Sequence, residues 1–155
     1  MTESTIVDDT AEGCLERIKL AWNAGDAHAY AGEFAEDATY VIYLGDPFRG
    51  REEIGRNHVP VLTKWQKGTK MTIKVIDLKW LGPDAVSVLT AGGIGKGANI
   101  PFDKLQTFTL VRRGGRWSCV AFQNTKMSRS ARKTFNPDSS VPLGIWRSFL
   151  GRSGT

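Results

Sequence analysis

The sequence predicts an α+β fold in which three N-terminal helices pack on one curled, mostly antiparallel sheet. Two observations carry this expectation. Apolar residues recur at helical spacing to about residue 68, and from Lys70 onward their period drops from about 3.6 to about 2. Turns rich in glycine, Leu81-Gly82-Pro83-Asp84 and Arg113-Gly114-Gly115-Arg116, then join neighbouring strands as hairpins. A chain of 155 residues has the length of one domain, and it buries about 70% of its unfolded surface without metal or disulfide staples.

The first helix is expected over about residues 10–24. Asp9-x-x-Glu12 resembles a capping box, Ala11, Leu15, Ile18 and Trp22 share a face, and Gly25 supplies the stop. Asp26 caps a second helix that carries Tyr30, Ala31 and Phe34 on one side and ends near Glu36-Asp37, so the two helices form a hairpin. Ala38–Leu44 is β-branched and aromatic, which reads as a short strand closed by the loop Gly45-Asp46-Pro47. A third helix after Gly50 presents Ile54, His58, Val61, Leu62 and Trp65 on one face and stops near Gly68. Pro60 removes an amide donor and restricts Val59, so a kink is expected there.

Strands are expected at about 70–80, 84–91, 103–113 and 116–124. Between the second and third, Gly92-Gly93-Ile94-Gly95-Lys96-Gly97 is too rich in glycine for a regular strand and lacks the ending of a phosphate loop; it reads as a flexible rim or bent strand end. In Met71–Trp80 the apolar parity switches from Met71, Ile73 and Val75 to Ile76, Leu78 and Trp80, which requires a bulge or sharp twist. The sheet should therefore curl over the helices and leave a cone-shaped cavity. Residues 1–125 read as the cone domain and 126–155 as a basic tail.

The formal net charge is +5, and its distribution decides what it means. Residues 1–60 carry −7, residues 61–125 carry +7, and the tail carries the remaining +5. The domain is thus neutral, with no basic stripe interleaved with stacking aromatics, which argues against a nucleic-acid surface. No apolar run approaches the roughly 20 residues of a membrane span. Met1–Thr5 lacks the basic and apolar regions of a secretory signal, so a cytoplasmic location is the expectation. Cys14 and Cys119 form no metal-type cluster, the two histidines stand 30 residues apart, and neither metal nor cofactor is expected. In the tail, Pro142–Leu150 places Ile145, Trp146, Phe149 and Leu150 as a short one-sided apolar segment, suited to docking on its own domain, a dimer mate or a partner protein, or to weak membrane contact.

Several residues carry chemistry worth placing. His58, on the apolar helix face, is either a neutral imidazole available as acid, base or ligand anchor, or a buried and satisfied histidine. Asn124 is a polar residue in an otherwise apolar strand phase; it either orients a ligand or closes backbone groups at the strand end. Tyr40 offers a phenol to a ligand or packs with its hydroxyl at the solvent edge. Trp22 and Trp65 are core or ligand platform, and Asp46 and Asp103 are loop carboxylates near the expected cavity mouth.

The segments Trp22-Asn23-Ala24-Gly25-Asp26, Phe34–Tyr40, Gly50-Arg51-Glu52-Glu53-Ile54, and Arg116-Trp117 leading to Ala121-Phe122-Gln123-Asn124-Thr125 resemble the SnoaL-like, SgcJ/EcaC-type branch of the NTF2-like superfamily over about residues 8–125. The resemblance implies an NTF2-like cone, a homodimer, and a place in polyketide or enediyne antibiotic biosynthesis. It also implies that Val120, Phe122 and Asn124 line the cavity. Ketosteroid isomerases of that superfamily use an aspartate base with a tyrosine and a protonated aspartic acid. The matching positions hold Ile42, Ile18 and, nearby, Thr107, so that chemistry is excluded. The expected function is binding, and cyclisation or modification, of an apolar polyene-like intermediate, with His58 as the candidate catalytic group. Trp22, Tyr40, Ile42, Trp65, Thr107, Val120, Phe122 and Asn124 are the expected pocket residues. The alternative is a dimeric module that binds a ligand or partner without chemistry.

Overall fold

The computed structural model describes residues 9–135. Helix α1 (Ala11–Asn23) is capped by Thr10, whose hydroxyl accepts from the Gly13 amide, an arrangement worth about 1 kcal/mol. The cap is therefore not Asp9. Its carboxylate accepts instead from the Trp117 amide and ties the helix start to the last strand. Helix α2 (Ala27–Gly32) has the expected Asp26 cap. It ends at Gly32 rather than near Asp37, and strand β1 (Phe34–Val41) starts four residues before Ala38. The cause is non-local: Phe34 pairs in parallel with Cys119, the Cys119 amide donates to the Glu33 carbonyl, and Arg51 Nε donates to the Phe34 carbonyl.

Strand β1 closes at a turn in which the Gly45 amide donates to the Ile42 carbonyl, and the chain returns as a short strand β2 (Pro47–Arg49), which local sequence pattern does not predict. β2 is the sheet edge, where a proline without an amide hydrogen is tolerated. Helix α3 (Gly50–Pro60) passes into a π-helical turn at Val61–Trp65, closed by the Gln66 amide on the Val61 carbonyl. The irregularity falls at Pro60, as expected, but it inserts one residue into the helical ladder and rotates the residues beyond it by about 100°. Ile54, His58 and Leu62 are buried, while Trp65 is 72% exposed.

Strands β3 (Lys70–Gly82), β4 (Ala85–Gly95), β5 (Lys104–Arg113) and β6 (Arg116–Lys126) complete one six-stranded sheet in the order β2-β1-β6-β5-β4-β3. All neighbours are antiparallel except β1 and β6. The parity switch in β3 is a register shift between Val75 and Asp77. The glycine-rich segment is not a loose rim: Gly92 and Gly93 are buried inside β4. A Cβ on Gly92 would stand 2.3 Å from the Thr72 carbonyl oxygen, and one on Gly93 2.0 Å from that of Pro101. Only glycine lets the backbones approach so closely.

Helices α1, α2 and α3 cover one face of the curled sheet, and the core lies between them, with Ile18, Tyr30, Phe34, Ile54, Phe108 and Leu110 almost wholly buried. The buried Glu33 carboxylate clips the layers together, receiving Arg17 Nε at 2.8 Å and Arg116 Nη2 at 3.1 Å. Past β6, Met127 is buried and its amide donates to the Asp103 carbonyl. A fourth, short helix α4 (Arg129–Thr134) buries none of its residues. The apolar tail segment at 142–150 lies outside the described residues. No described helix is long and apolar enough to cross a membrane.

Candidate functional site

The concave face of the sheet is organised in rows set by strand register. Tyr40, Phe122 and Phe108 lie side by side on β1, β6 and β5, with Val88 next on β4. One step toward the open end, Asn124, Gln106 and Thr90 form a second, polar row. A third row brings Lys104 between Lys126 and Gly92. Alternation along each strand makes the rows share a face. Together with α1, α3 and the π-helical turn they enclose a cavity of about 410 Å³, within the range of small-molecule sites.

The inner wall is aromatic. The Tyr40 and Phe122 ring centres are 4.4 Å apart, those of Phe108 and Phe122 4.8 Å, and Phe48 stacks on Tyr40 with only 14° between the planes. Trp22 closes another side; its indole N–H donates to the Thr69 hydroxyl at 3.1 Å, so it presents carbon to the cavity. Ile42, Met71 and Ile94 add aliphatic surface, and the exposed Leu44 and Trp65 stand at the mouth.

His58, 3% exposed, lies against this wall. Its Nδ1 is 2.7 Å from the Ile54 carbonyl, four residues back on the same helix. A carbonyl only accepts, so Nδ1 carries the hydrogen and Nε2 is the acceptor in the neutral ring. The Tyr40 hydroxyl, 3.3 Å from Nε2, donates to it, and the Tyr30 hydroxyl, 2.8 Å from that of Tyr40, donates onward into the same chain. Burial holds His58 below the usual histidine range, opposed by the Ile54 carbonyl, which favours the charged ring. Burial likewise pushes the Tyr30 and Tyr40 phenols up, so both remain protonated. Every hydrogen of the three groups is therefore spent inside the chain, and only oxygen lone pairs are left over.

Asn124 is different. It borders the cavity, and its Oδ1 is buried with no hydrogen-bond partner among the described residues. The neighbouring Gln106 is 5% exposed, and its Oε1 accepts from the Thr90 hydroxyl at 3.0 Å. At the mouth, Lys104 Nζ pairs with Asp103 at 3.0 Å and sits 5.4 Å from the centre of the Tyr43 ring. Asp46 also borders the cavity.

Of the expected pocket residues, Trp22, Tyr40, Ile42, His58, Trp65, Phe122 and Asn124 come together around this space. Thr107 does not: it lies on the opposite face of the sheet with Thr39, Thr109 and Gln123, because Gln106 and Phe108 take the inward positions. Val120 is also absent from the wall. The register slips between Thr109 and Leu110, which pair with Ala121 and Cys119, so Val120 is left unopposed at a bulge. Gln106 and Lys104 join the site without having been expected there; the signal exists in the sequence, since both share the parity of Phe108. No group of three or more His, Cys, Asp or Glu side chains suited to a metal occurs among the described residues.

No protein-family model and no curated protein matches the chain. Solved structures do. A domain of unknown function with a cystatin-like fold from Nostoc punctiforme is 21% identical, with TM-score 0.70 over 96% of this chain and 95% of that one. An NTF2-like protein of unknown function from Shewanella oneidensis is 17% identical, with TM-score 0.63 over 73% and 93%. An NTF2-like protein with a cystatin-like fold from Novosphingobium aromaticivorans is 18% identical, with TM-score 0.61 over 83% and 87%. The fold is thus the NTF2-like, cystatin-like cone.

Proposed function

We propose that this protein binds a small, largely apolar molecule in the cone cavity, and that it does so as a homodimer. In the terms of the family resemblance, the molecule is a polyene- or polyketide-like intermediate of natural-product biosynthesis. The observation that carries the reading is the enclosed space of about 410 Å³ walled by Trp22, Tyr40, Phe48, Phe108 and Phe122. Aromatic and aliphatic walls with a few polar groups are how small-molecule sites are generally built.

Binding without chemistry is the form best supported. Both ring nitrogens of His58 are engaged by Ile54 and Tyr40, so a ligand meets the histidine only through the tyrosine hydroxyl. One observation favours a second reading, catalysis. The neutral His58 can accept the Tyr40 proton while Tyr40 takes one from a bound substrate, a relay for cyclisation or isomerisation. In either case His58 acts through Tyr40.

Native mass spectrometry of the purified protein tests the proposal, followed by titration with anilinonaphthalene sulfonate while tryptophan emission is recorded. A dimer mass and a saturable change in emission are expected, with the change reduced in Ile42→Trp, a larger apolar side chain at a partly buried position of the cavity wall. A cavity that takes up no apolar probe would end the proposal.

A further inference from the structure

We propose that the open end of the cone docks on an anionic lipid surface, with an apolar rim entering the headgroup layer and a cluster of unpaired cations meeting the lipid charge. Such docking goes beyond small-molecule binding and can occur or fail independently of it. Two features meet at this end. The first is apolar. Six large apolar side chains are exposed among the described residues, and three of them, Tyr43, Leu44 and Trp65, border the cavity mouth. Water-facing apolar groups gathered round one opening mark an interaction surface, where scattered ones would not. Tryptophan and tyrosine are also the side chains that settle at a membrane interface, with one end apolar and the other wet.

The second is charge. From Lys104 to Phe135 the chain contains no aspartate or glutamate. At the hairpin end of β5 and β6 other elements make good the shortage, since Arg112, Arg113 and Arg116 pair with Asp84, Asp37 and Glu33. At the open end they do not. Lys126 stands directly opposite Lys104 on the neighbouring strand, a like-charge pairing that costs stability unless an anion offsets it. Asp103 pairs with Lys104 alone. Lys126 and, on α4, Arg129, Arg132 and Lys133 are exposed, with no carboxylate partner among the described residues. The amide of Met127, bonded to the Asp103 carbonyl, holds the start of this basic stretch at the mouth. Asp46, an exposed acid that also borders the cavity, leaves the excess positive.

A bilayer containing phosphatidylserine meets both features at once, with apolar surface for the rim and negative headgroups for lysine and arginine. A soluble polyanion would engage the cations and leave the rim in water. The cavity opens through the same rim, so an apolar ligand would pass between bilayer and aromatic wall without crossing water.

Co-sedimentation of the full chain with vesicles tests this. Binding is expected to vesicles of equal parts phosphatidylcholine and phosphatidylserine at low ionic strength, with little to phosphatidylcholine alone, and it should weaken as salt is raised. Arg129→Gln with Arg132→Gln, on a helix that buries none of its residues, should weaken binding by about 25-fold, or about fivefold for each charge removed. Leu44→Ser with Trp65→Ser, at two exposed positions, should weaken it by about tenfold or more at fixed salt. The chain beyond Phe135, with its own apolar segment, is kept in every variant, so each loss is assigned to the cations or to the rim. No binding to the anionic vesicles, or binding indifferent to either pair of substitutions, would overturn the assignment. Binding of poly-glutamate in place of vesicles, unchanged by Leu44→Ser with Trp65→Ser, would also overturn it and make the cluster a dock for an acidic protein.

Discussion

The Tyr40 hydroxyl lies 3.3 Å from Nε2 of His58, and both groups are buried, at 4% and 3% exposure. Because Nδ1 is committed to the Ile54 carbonyl, this contact has one direction: tyrosine donates and histidine accepts. In that direction the contact exists only while His58 is neutral. Protonating the ring would turn Nε2 into a donor, force the Tyr40 and Tyr30 hydroxyls to reverse their donation, and put a charge among aromatic rings.

Stability should follow the protonation of His58. Burial lowers its folded-state pKa below the ordinary value of about 6.5. The unfolded chain then binds the proton more readily than the folded one as pH falls below about 6.5. Stability is full above that value and declines toward the lower folded-state pKa, by at most about 1.4 kcal/mol per pH unit. Urea unfolding at pH 7.5, 6.5 and 5.5 should show this decline, and His58→Gln should flatten it over that window. Parallel declines in the two proteins would show that His58 is not its source.

The glycines of β4 make a sharper test of packing. Gly93→Ala should destabilise the protein by about 3 kcal/mol, since its Cβ would meet the Pro101 carbonyl oxygen at 2.0 Å and the backbone must yield. The strained segment runs on to Asp103 and Lys104, so the cavity mouth shifts with it. Gly32→Ala is the control. Gly32 ends α2 with nothing within 4 Å of the added carbon, and the change there should be neutral or stabilising by up to about 1 kcal/mol. Comparable losses in both variants would refute the close-approach argument.

What the sequence reveals of this molecule is what local pattern encodes. Capping by Asp26, the kink near Pro60, the hairpin turns and the parity switch in β3 are all short-range signals, and each has its counterpart in the structure. Phe34 reads as helical because of its spacing from Tyr30 and Ala31, while its actual partner, Cys119, stands 85 residues away. Trp65 reads as part of the apolar helix face because nothing local announces the π-helical turn that adds one residue between it and His58. The candidate site divides along the same line. Residues on one unbroken strand phase, Phe122 with Asn124 and Tyr40 with Ile42, reach the cavity together. Thr107 and Val120, whose facing depends on a bulge and on alignment across families, do not.

Thr107 supplies a prediction of its own. On the outer face it joins Thr39, Val41, Leu105, Thr109 and Ala121 in a surface depression away from the cavity. If the proposed homodimer uses that face, Thr107→Arg should shift the native mass from dimer to monomer and leave binding of the fluorescent probe within about twofold, a difference below about 0.5 kcal/mol. Loss of probe binding with the dimer intact would instead return Thr107 to the ligand site.

Asn124 should cost the fold stability. With no donor for its buried Oδ1, the ligand-free protein bears the desolvation cost of that atom, about 1–3 kcal/mol. Leucine is of broadly similar size and asks for no partner, so Asn124→Leu should raise the unfolding free energy measured in urea by about 1 kcal/mol after imperfect packing is allowed for. The opposite behaviour is expected at Thr90, which is wholly buried and donates to Gln106. Thr90→Val removes that hydrogen, frees Gln106 Oε1, and should cost about 1–2 kcal/mol. Two neighbours in one polar row would then respond with opposite signs. A destabilised Asn124→Leu would mean that the asparagine is held by the fold itself.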